Sequence, residues 1–260
     1  MTSKPRILTY DIETLPFRAF TWGLYNQNIP HTFIDKNRTM VTAAWRWLGE
    51  KKIHGTSILE DNVWQENVWY DEAPVTKLHA ALMEADFLIG HNAVKYDLRF
   101  FNARAIQYGL PPLPPKLPTV DTLKVAKKHF DFGCNKLDHL ADTLFDDKKL
   151  AIVNGLHMKI VKESSSLAVV KRSIQDMLKY NKHDIIISEK LYHTFLPYID
   201  NHPNMNLHGG NEDVCPNCGS THLHKRGYVT TRVSKKQRLQ CQACGSWSQS
   251  KQTIQIAEVR

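Results

Sequence analysis

Residues 7–15 read Ile7-Leu8-Thr9-Tyr10-Asp11-Ile12-Glu13-Thr14-Leu15, a β-rich run that carries two carboxylates two positions apart. The pattern predicts a strand over Arg6–Ile12 that delivers side chains to its C-terminal edge. In a strand, residues i and i+2 project to the same face, so Asp11 and Glu13 converge on one point. Like charges held that close repel, and a divalent cation between them relieves the repulsion. Two ordinary acids at a solvated strand end would look the same, so the pair has to be weighed with the rest of the chain.

Outward from this run, Val41, Ala43, Trp45 and Trp47 alternate with smaller and polar residues as in a strand. Lys52–Leu59 lies beyond the Gly49-Glu50 turn and pairs with it as a hairpin. Pro74–Ala85 puts Val75, Leu78, Leu82 and Ala85 on one helix face. Phe87–Ile89 is a short buried strand, and Asp97–Tyr108 is a helix ended by Gly109. The proline-rich stretch 111–118 reads as a stiff surface connection, with a polyproline recognition ligand as the other option. Thr119–Asp121 ends a strand. Leu123–Phe130, Lys136–Leu144 and Ser166–Tyr180 are helical, the last continuing or restarting through Asp184–Tyr198. This order of strands and helices predicts an α/β domain with a mixed sheet. The Asn-, Gly- and Pro-rich stretch 201–213 marks a boundary, giving domains over 1–205 and 211–260.

Two more motifs carry acids. Gly90-His91-Asn92-Ala93-Val94-Lys95-Tyr96-Asp97 sets Asp97 at the start of a helix, where the dipole favours an acid in any case. Tyr180-Asn181-Lys182-His183-Asp184 spaces Tyr180 and Asp184 four apart, on one helix face. Taken in order, Asp11 and Glu13, then N-x-x-x-Y-D ending at Asp97, then Y-x-x-x-D ending at Asp184 resemble the three motifs of the DEDDy 3′–5′ exonucleases, which have the RNase H-like fold. The closest resemblance is to the proofreading exonuclease domain of B-family DNA polymerases and its stand-alone phage and bacterial relatives. It covers residues 5–200 and includes Thr119-Val120-Asp121-Thr122-Leu123 and Asn135-Lys136-Leu137-Asp138-His139-Leu140-Ala141. The sister subclass places a histidine five residues before the last aspartate. That position is Lys179 here, and His183 is out of register, so the tyrosine subclass fits.

The resemblance implies an RNase H-like mixed β-sheet flanked by helices and a metal-dependent 3′–5′ exonuclease. Its substrate would be DNA, single-stranded or at 3′ ends, hydrolysed to nucleoside 5′-monophosphates. Asp11, Glu13, Asp97 and Asp184 would hold two Mg²⁺ or Mn²⁺ ions, with Asp11 as the bridge; oxygen-only ligands suit these ions rather than Zn²⁺. Two ions about 3.5–4 Å apart activate water and relieve charge on the phosphate and on the leaving oxygen. Tyr180 would orient the attacking water, since a phenol with a pKa near ~10 is a poor general base. Thr14, Leu15 and Asn92 match positions that seat the terminal nucleotide in relatives, although Leu15 also reads as plain core. Asp121 matches a recurrent acid and takes a structural role. An exoribonuclease is the nearest alternative, because nothing in the sequence reports on the 2′-hydroxyl. A non-catalytic nucleic-acid or polymerase-binding module is a second, and a transposase fits the motif order poorly. Replication, repair, nucleotide salvage and host-genome breakdown are all contexts that such an activity would suit.

Across the 260 residues, 42% hydrophobic and 23% charged side chains build a core and exclude a disordered chain. No apolar run approaches the ~18–20 residues of a membrane span. The N-terminus has no apolar signal core, so a cytoplasmic protein of a bacterial or phage-infected cell is expected, not a secreted one. The net charge is +8 and is uneven. Residues 212–260 hold eight basic and three acidic side chains, against 26 and 23 in residues 1–211. This basic tail also contains Cys215-Pro-Asn-Cys218-Gly and Cys241-Gln-Ala-Cys244-Gly. Two such knuckles supply four thiolates for one structural Zn²⁺, so a small β-rich zinc ribbon is expected, too poor in apolar residues for a core of its own. Lys225, Arg226, Arg232, Lys235, Lys236 and Arg238, interleaved with Tyr228 and followed by Trp247, would grip phosphates without reading sequence. The other reading of that face is a solvated surface on a ribbon that docks a protein, for instance a replication partner. Cys134 is left over and reads as a single buried thiol. Trp22, Tyr25, Trp45, Trp47, Trp64 and Trp69 make the first third aromatic-rich; Trp45 and Trp47 read as core, and no site is assigned there.

Overall fold

The run that opens the chain is a strand, β1 (Ile7–Leu15), and it continues through both carboxylates. The computed structural model describes residues 5–147, 155–208 and 214–256. Residues 209–213, at the expected boundary between the two domains, lie outside the described residues. After β1 the chain makes an excursion that the sequence pattern did not reveal. Its two short strands, β2 (Arg18–Ala19) and β3 (Ile34–Lys36), pair antiparallel. Then follow β4 (Thr39–Trp47), β5 (His54–Ser57), α1 (Glu72–Met83), β6 (Phe87–Gly90), α2 (Asp97–Gln107) and β7 (Thr119–Asp121). Four more helices complete this part: α3 (Thr122–His129), α4 (Leu137–Phe145), α5 (Leu156–Val161) and α6 (Leu167–Phe195).

The main sheet has five strands in the order β5-β4-β1-β6-β7. β4 runs antiparallel to both β1 and β5, whereas β6 and β7 continue the sheet parallel to β1. This is the mixed α/β sheet expected from the sequence. Because β1 is central, both of its faces are covered, and its alternation sorts side chains to two cores. Leu8, Tyr10 and Ile12 pack with Val75, Leu78 and Leu82 of α1 and Phe101 of α2. Ile7, on the opposite face, packs with Tyr192 in the last turn of α6 and Leu196 just beyond it. Asp11 and Glu13 share the parity of Ile7 and therefore project toward α6. β4 is buried over most of its length, so its alternation separates two packed faces rather than core from water.

α6 is a single helix of 29 residues. No glycine or proline interrupts residues 167–195, and Pro197 follows its end. The Ser166 hydroxyl caps it by accepting from the Val169 N–H at 3.4 Å. Arg46 of β4 forms a bidentate pair with Glu189, one arm of which is 2.8 Å long, pinning the helix across the sheet. Among the described residues no helix is long and apolar enough to cross a membrane.

The tail forms a three-stranded antiparallel sheet from β8 (Leu223–Thr230), β9 (Ser234–Cys241) and β10 (Trp247–Ile256), in the order β10-β9-β8. It does not stand apart. Cys218 and Cys244 pack against the cluster of Ile7, Phe87, Val120, Tyr192, Leu196 and Ile199. The Leu196 carbonyl accepts from Asn217 Nδ2 at 2.8 Å and from Ser246 Oγ at 3.3 Å. The ribbon thus completes its missing core by borrowing one from the end of α6.

Candidate active site

Asp11 and Glu13 leave β1 on the face covered by α6, and Asp184 of α6 meets them there. One carboxylate oxygen from each of the three lies within 4.8 Å of the others. Asp97 heads α2 and accepts from the Ile12 backbone N–H, which carries it over the end of β1. All four acids line one cleft of about 800 Å³. Four acids from three segments remote in sequence are therefore gathered by one strand and two helices.

The crowding has an electrostatic consequence. Burial holds the Asp11 carboxyl well above the usual carboxylate range, and Asp97, Asp184 and Glu13 push it further. Asn181 opposes this by donating from Nδ2 to Asp11 Oδ2 at 2.5 Å. Asp97 is pushed up to about 7, chiefly by burial, with Asp121 adding and backbone N–H groups opposing. A cation set between crowded carboxyls favours their ionised form and so opposes these upward shifts. The donor set is all oxygen, which suits a hard ion such as Mg²⁺ or Mn²⁺.

Around the acids, Asn92 lines the cleft in a left-handed conformation, φ 65°. The Asp121 carboxylate holds that turn, accepting from the N–H groups of Asn92 at 2.9 Å, Val94 at 3.3 Å and Leu123 at 3.1 Å. The structural role read for Asp121 is what its bonds describe. Thr14 Oγ1 lies 2.9 Å from the Tyr96 hydroxyl at the cleft edge. Leu15 is different: it is wholly buried with Val41, Ile58 and Trp64 and does not line the cleft. Leu15 keeps the parity of Asp11 and Glu13, but Val170, Ile174 and Met177 in the first half of α6 close over it, so it is core. Tyr180 lies a turn before Asp184, is buried, and is not among the cleft-lining residues.

Several cleft residues escaped the reading of the sequence. Asn181 is wholly buried and accepts from the Thr42 hydroxyl at 3.3 Å while donating to Asp11. The signal was its place three before Asp184, on the same helix face. Lys127 and Lys136 bring positive charge to the same cleft, and Cys134, read as a buried thiol, is half-buried in its lining.

The four tail cysteines meet as expected, with all four Sγ atoms within 4.8 Å of one another. Cys215–Cys244 and Cys218–Cys241 are both 3.6 Å apart. A tetrahedral Zn²⁺ with bonds of about 2.3 Å sets its sulfurs about 3.8 Å apart, so the cage fits that ion. Gly219 and Gly245 take positive φ, 73° and 79°, and send their N–H groups back to Cys215 and Cys241. That conformation is what the glycine after each knuckle is for. Burial pushes the Cys215 thiol up to about 11, while Cys241, despite burial, is brought down to about 7 by the N–H groups of Cys244 and Ala243.

No curated protein matches the chain. The family model of the RNase H superfamily matches residues 10–196, a span that takes in all four acids and every strand of the main sheet except the first three residues of β1. With the β1-centred mixed sheet and the acid cleft, that match places this chain in the RNase H superfamily, as a nuclease-type hydrolase domain.

Proposed function

We propose that the chain is a metal-dependent 3′–5′ exonuclease of the DEDDy type, releasing nucleoside 5′-monophosphates from single-stranded DNA or from 3′ ends. The observation that carries this reading is the convergence of Asp11, Glu13 and Asp184 within 4.8 Å, with Asp97 on the same cleft. A pure binding module has no use for that much unfavourable charge. Bound by these acids, two Mg²⁺ or Mn²⁺ ions would supply charge relief on the phosphate and a lowered pKa for the attacking water. The chain's own groups do the rest. Asn181 orients the Asp11 carboxylate, Tyr180, one turn before Asp184, would orient the attacking water, and Asn92 and Thr14 form the rim where a terminal nucleotide would sit. Lys127 and Lys136 draw the phosphodiester toward the acid wall.

The ribbon is proposed as a second, structural Zn²⁺-dependent unit over 211–260, following an exonuclease domain over 1–205, that retains nucleic acid. The six basic residues between its two knuckles are exposed or half-exposed. Lys235 Nζ sits 4.5 Å from the Tyr228 ring and the Arg238 guanidinium 5.3 Å from the Trp247 ring. Cations beside exposed aromatics offer phosphate and base contacts together.

The test is a time course on 5′-labelled single-stranded DNA with Mg²⁺ or Mn²⁺, beside Asp11→Ala and Tyr180→Phe. A ladder shortening from the 3′ end, absent in Asp11→Ala and slowed but present in Tyr180→Phe, is the expected result. Shortening confined to an RNA of the same length would transfer the assignment to an exoribonuclease. Retention of both strands without cleavage would reduce the chain to a binding module.

A further inference from the structure

Residues 16–38, the excursion between β1 and β4, bury little of their apolar surface. Phe20, Trp22 and Tyr25 are 72%, 93% and 82% exposed, and none of them joins a core cluster among the described residues. Five of these 23 residues are aromatic, against 10% over the whole chain, and three are basic against one acidic. The arm is nonetheless anchored. β2 and β3 pair at its base, the Phe20 N–H donates to the Phe33 carbonyl at 2.9 Å, and Arg18 bonds Asp35 at 2.5 Å.

Its root is continuous with the acid cleft. Arg38 lies over three rings, Tyr96 at 4.6 Å, Phe100 at 5.3 Å and Phe17 at 6.0 Å. Tyr96 lines the cleft and contacts Thr14, which follows Glu13 directly. Aromatic faces and one guanidinium therefore run from the acids to the root of the arm, whose exposed rings follow within eight residues of Phe17. Exposed aromatics so placed would be a liability in water unless something stacks on them. A strand whose terminal phosphodiester lies at Asp11 must carry its preceding nucleotides out over the cleft edge. Unpaired bases offer π faces to each ring, and the phosphates between them suit the local excess of cations.

We propose that this arm is a base-stacking platform for single-stranded DNA, with Trp22 as its principal contact and Phe20 and Tyr25 beside it, holding the nucleotides upstream of the one to be cleaved. This rests on the exonuclease reading for the direction of the strand, but binding itself is measured apart from hydrolysis.

The experiment uses the full zinc-loaded chain carrying Asp11→Ala, so that no cleavage enters the measurement. Its affinity for a labelled 20-nucleotide oligothymidylate is compared with that of the same chain carrying Trp22→Ala, and separately Tyr25→Ala. An abasic 20-mer with the same phosphates serves as the control. Trp22→Ala is expected to weaken binding of the oligothymidylate about tenfold and to leave the abasic strand unchanged. Both variants should melt like their parent, because the side chains removed are exposed. Equal affinity for oligothymidylate with and without Trp22 overturns the proposal, as does an equal loss on the abasic strand. So does self-association that Trp22→Ala abolishes while DNA binding stays intact, which would give the arm to a second copy of the chain. A missing 3′ ladder in the wild-type chain would instead count against the exonuclease reading and leave the binding comparison standing.

Discussion

Asp11 is the residue on which the other charges of the cleft converge, and its neutral neighbour Asn181 matters as much as the acids do. The buried chain Thr42–Asn181–Asp11 fixes which oxygen of Asp11 faces the cleft. Asn181→Ala should therefore lower activity or metal affinity by about 10- to 100-fold, the usual cost of losing a group that orients a ligand. The check is an Mn²⁺ titration of the rate: a variant that needs no more metal and turns over normally would deny Asn181 this role. Protonation follows the same crowding. Asp97 has its pKa raised from the ordinary 3.8 to about 7, and Asp11 moves in the same direction. A carboxyl raised in the folded state stabilises the fold fully below its unfolded pKa and loses that contribution as pH climbs through the folded value. The zinc-loaded chain without Mg²⁺ or Mn²⁺ should thus melt at a lower temperature at pH 8 than at pH 5. Added Mn²⁺ should raise the melting temperature more at pH 8, where it does not compete with protons. Asp97→Asn should flatten the metal-free slope, and a slope unchanged by that substitution would contradict the assignment.

Among the elements, α6 links the most functions. Its middle supplies Asn181 and Asp184, Glu189 ties it to β4, and its last turn carries Tyr192, with Leu196 just past its end, under the ribbon. The Tyr192 hydroxyl donates to His202 Nε2 at 2.7 Å, while His202 Nδ1 donates to the Pro203 carbonyl, also at 2.7 Å. This relay braces the chain where it leaves the helix. Because the four-cysteine cage rests on this end of α6, removing the zinc proposed for it should be felt beyond the ribbon. Changing Cys215 and Cys218 together to serine should remove about one zinc per chain and lower the melting temperature of the whole molecule. Each kcal/mol lost at this size corresponds to about 2–4 °C. Metal analysis and calorimetry check it: zinc loss with an unchanged main transition would mean that the shared seam contributes nothing.

Over the whole molecule, charge is divided by task. Acids gather in the cleft, and the basic excess lies in the tail, where it meets exposed rings. If the ribbon holds DNA by its phosphates, binding should weaken linearly in log salt, with a slope of about −0.7 per single-strand contact. Lys235→Gln with Lys236→Gln should make that slope shallower by about one contact or more. A slope untouched by the pair would point to the ribbon's other reading, a protein-docking face.

Much of this architecture was legible from order and spacing. β1, the β4–β5 hairpin, α1, β6 and α2 follow from local apolar patterns, and the cysteine knuckles declare their cage through C-x-x-C-G turns that hardly depend on their surroundings. The acids were legible as a set because motif order survives any loop length. Other features depend on contacts between distant segments. Leu15 belongs to the core because Ile58, Trp64 and the first half of α6 close over the end of β1, and Trp22 separated from Trp45 only because one lies on an unpacked arm and the other in the central sheet. Asn181 acquired its role from Asp11, 170 positions away in the chain. The ribbon found its core on α6, which no local pattern could announce. Sequence by itself determined the elements and the chemistry of their side chains, because backbone propensity, alternation and ligand spacing act over a few residues. Tertiary structure alone decided which of those side chains share a cleft, which are sealed from water and which are left exposed, because burial and electrostatic coupling exist only between groups that folding brings together.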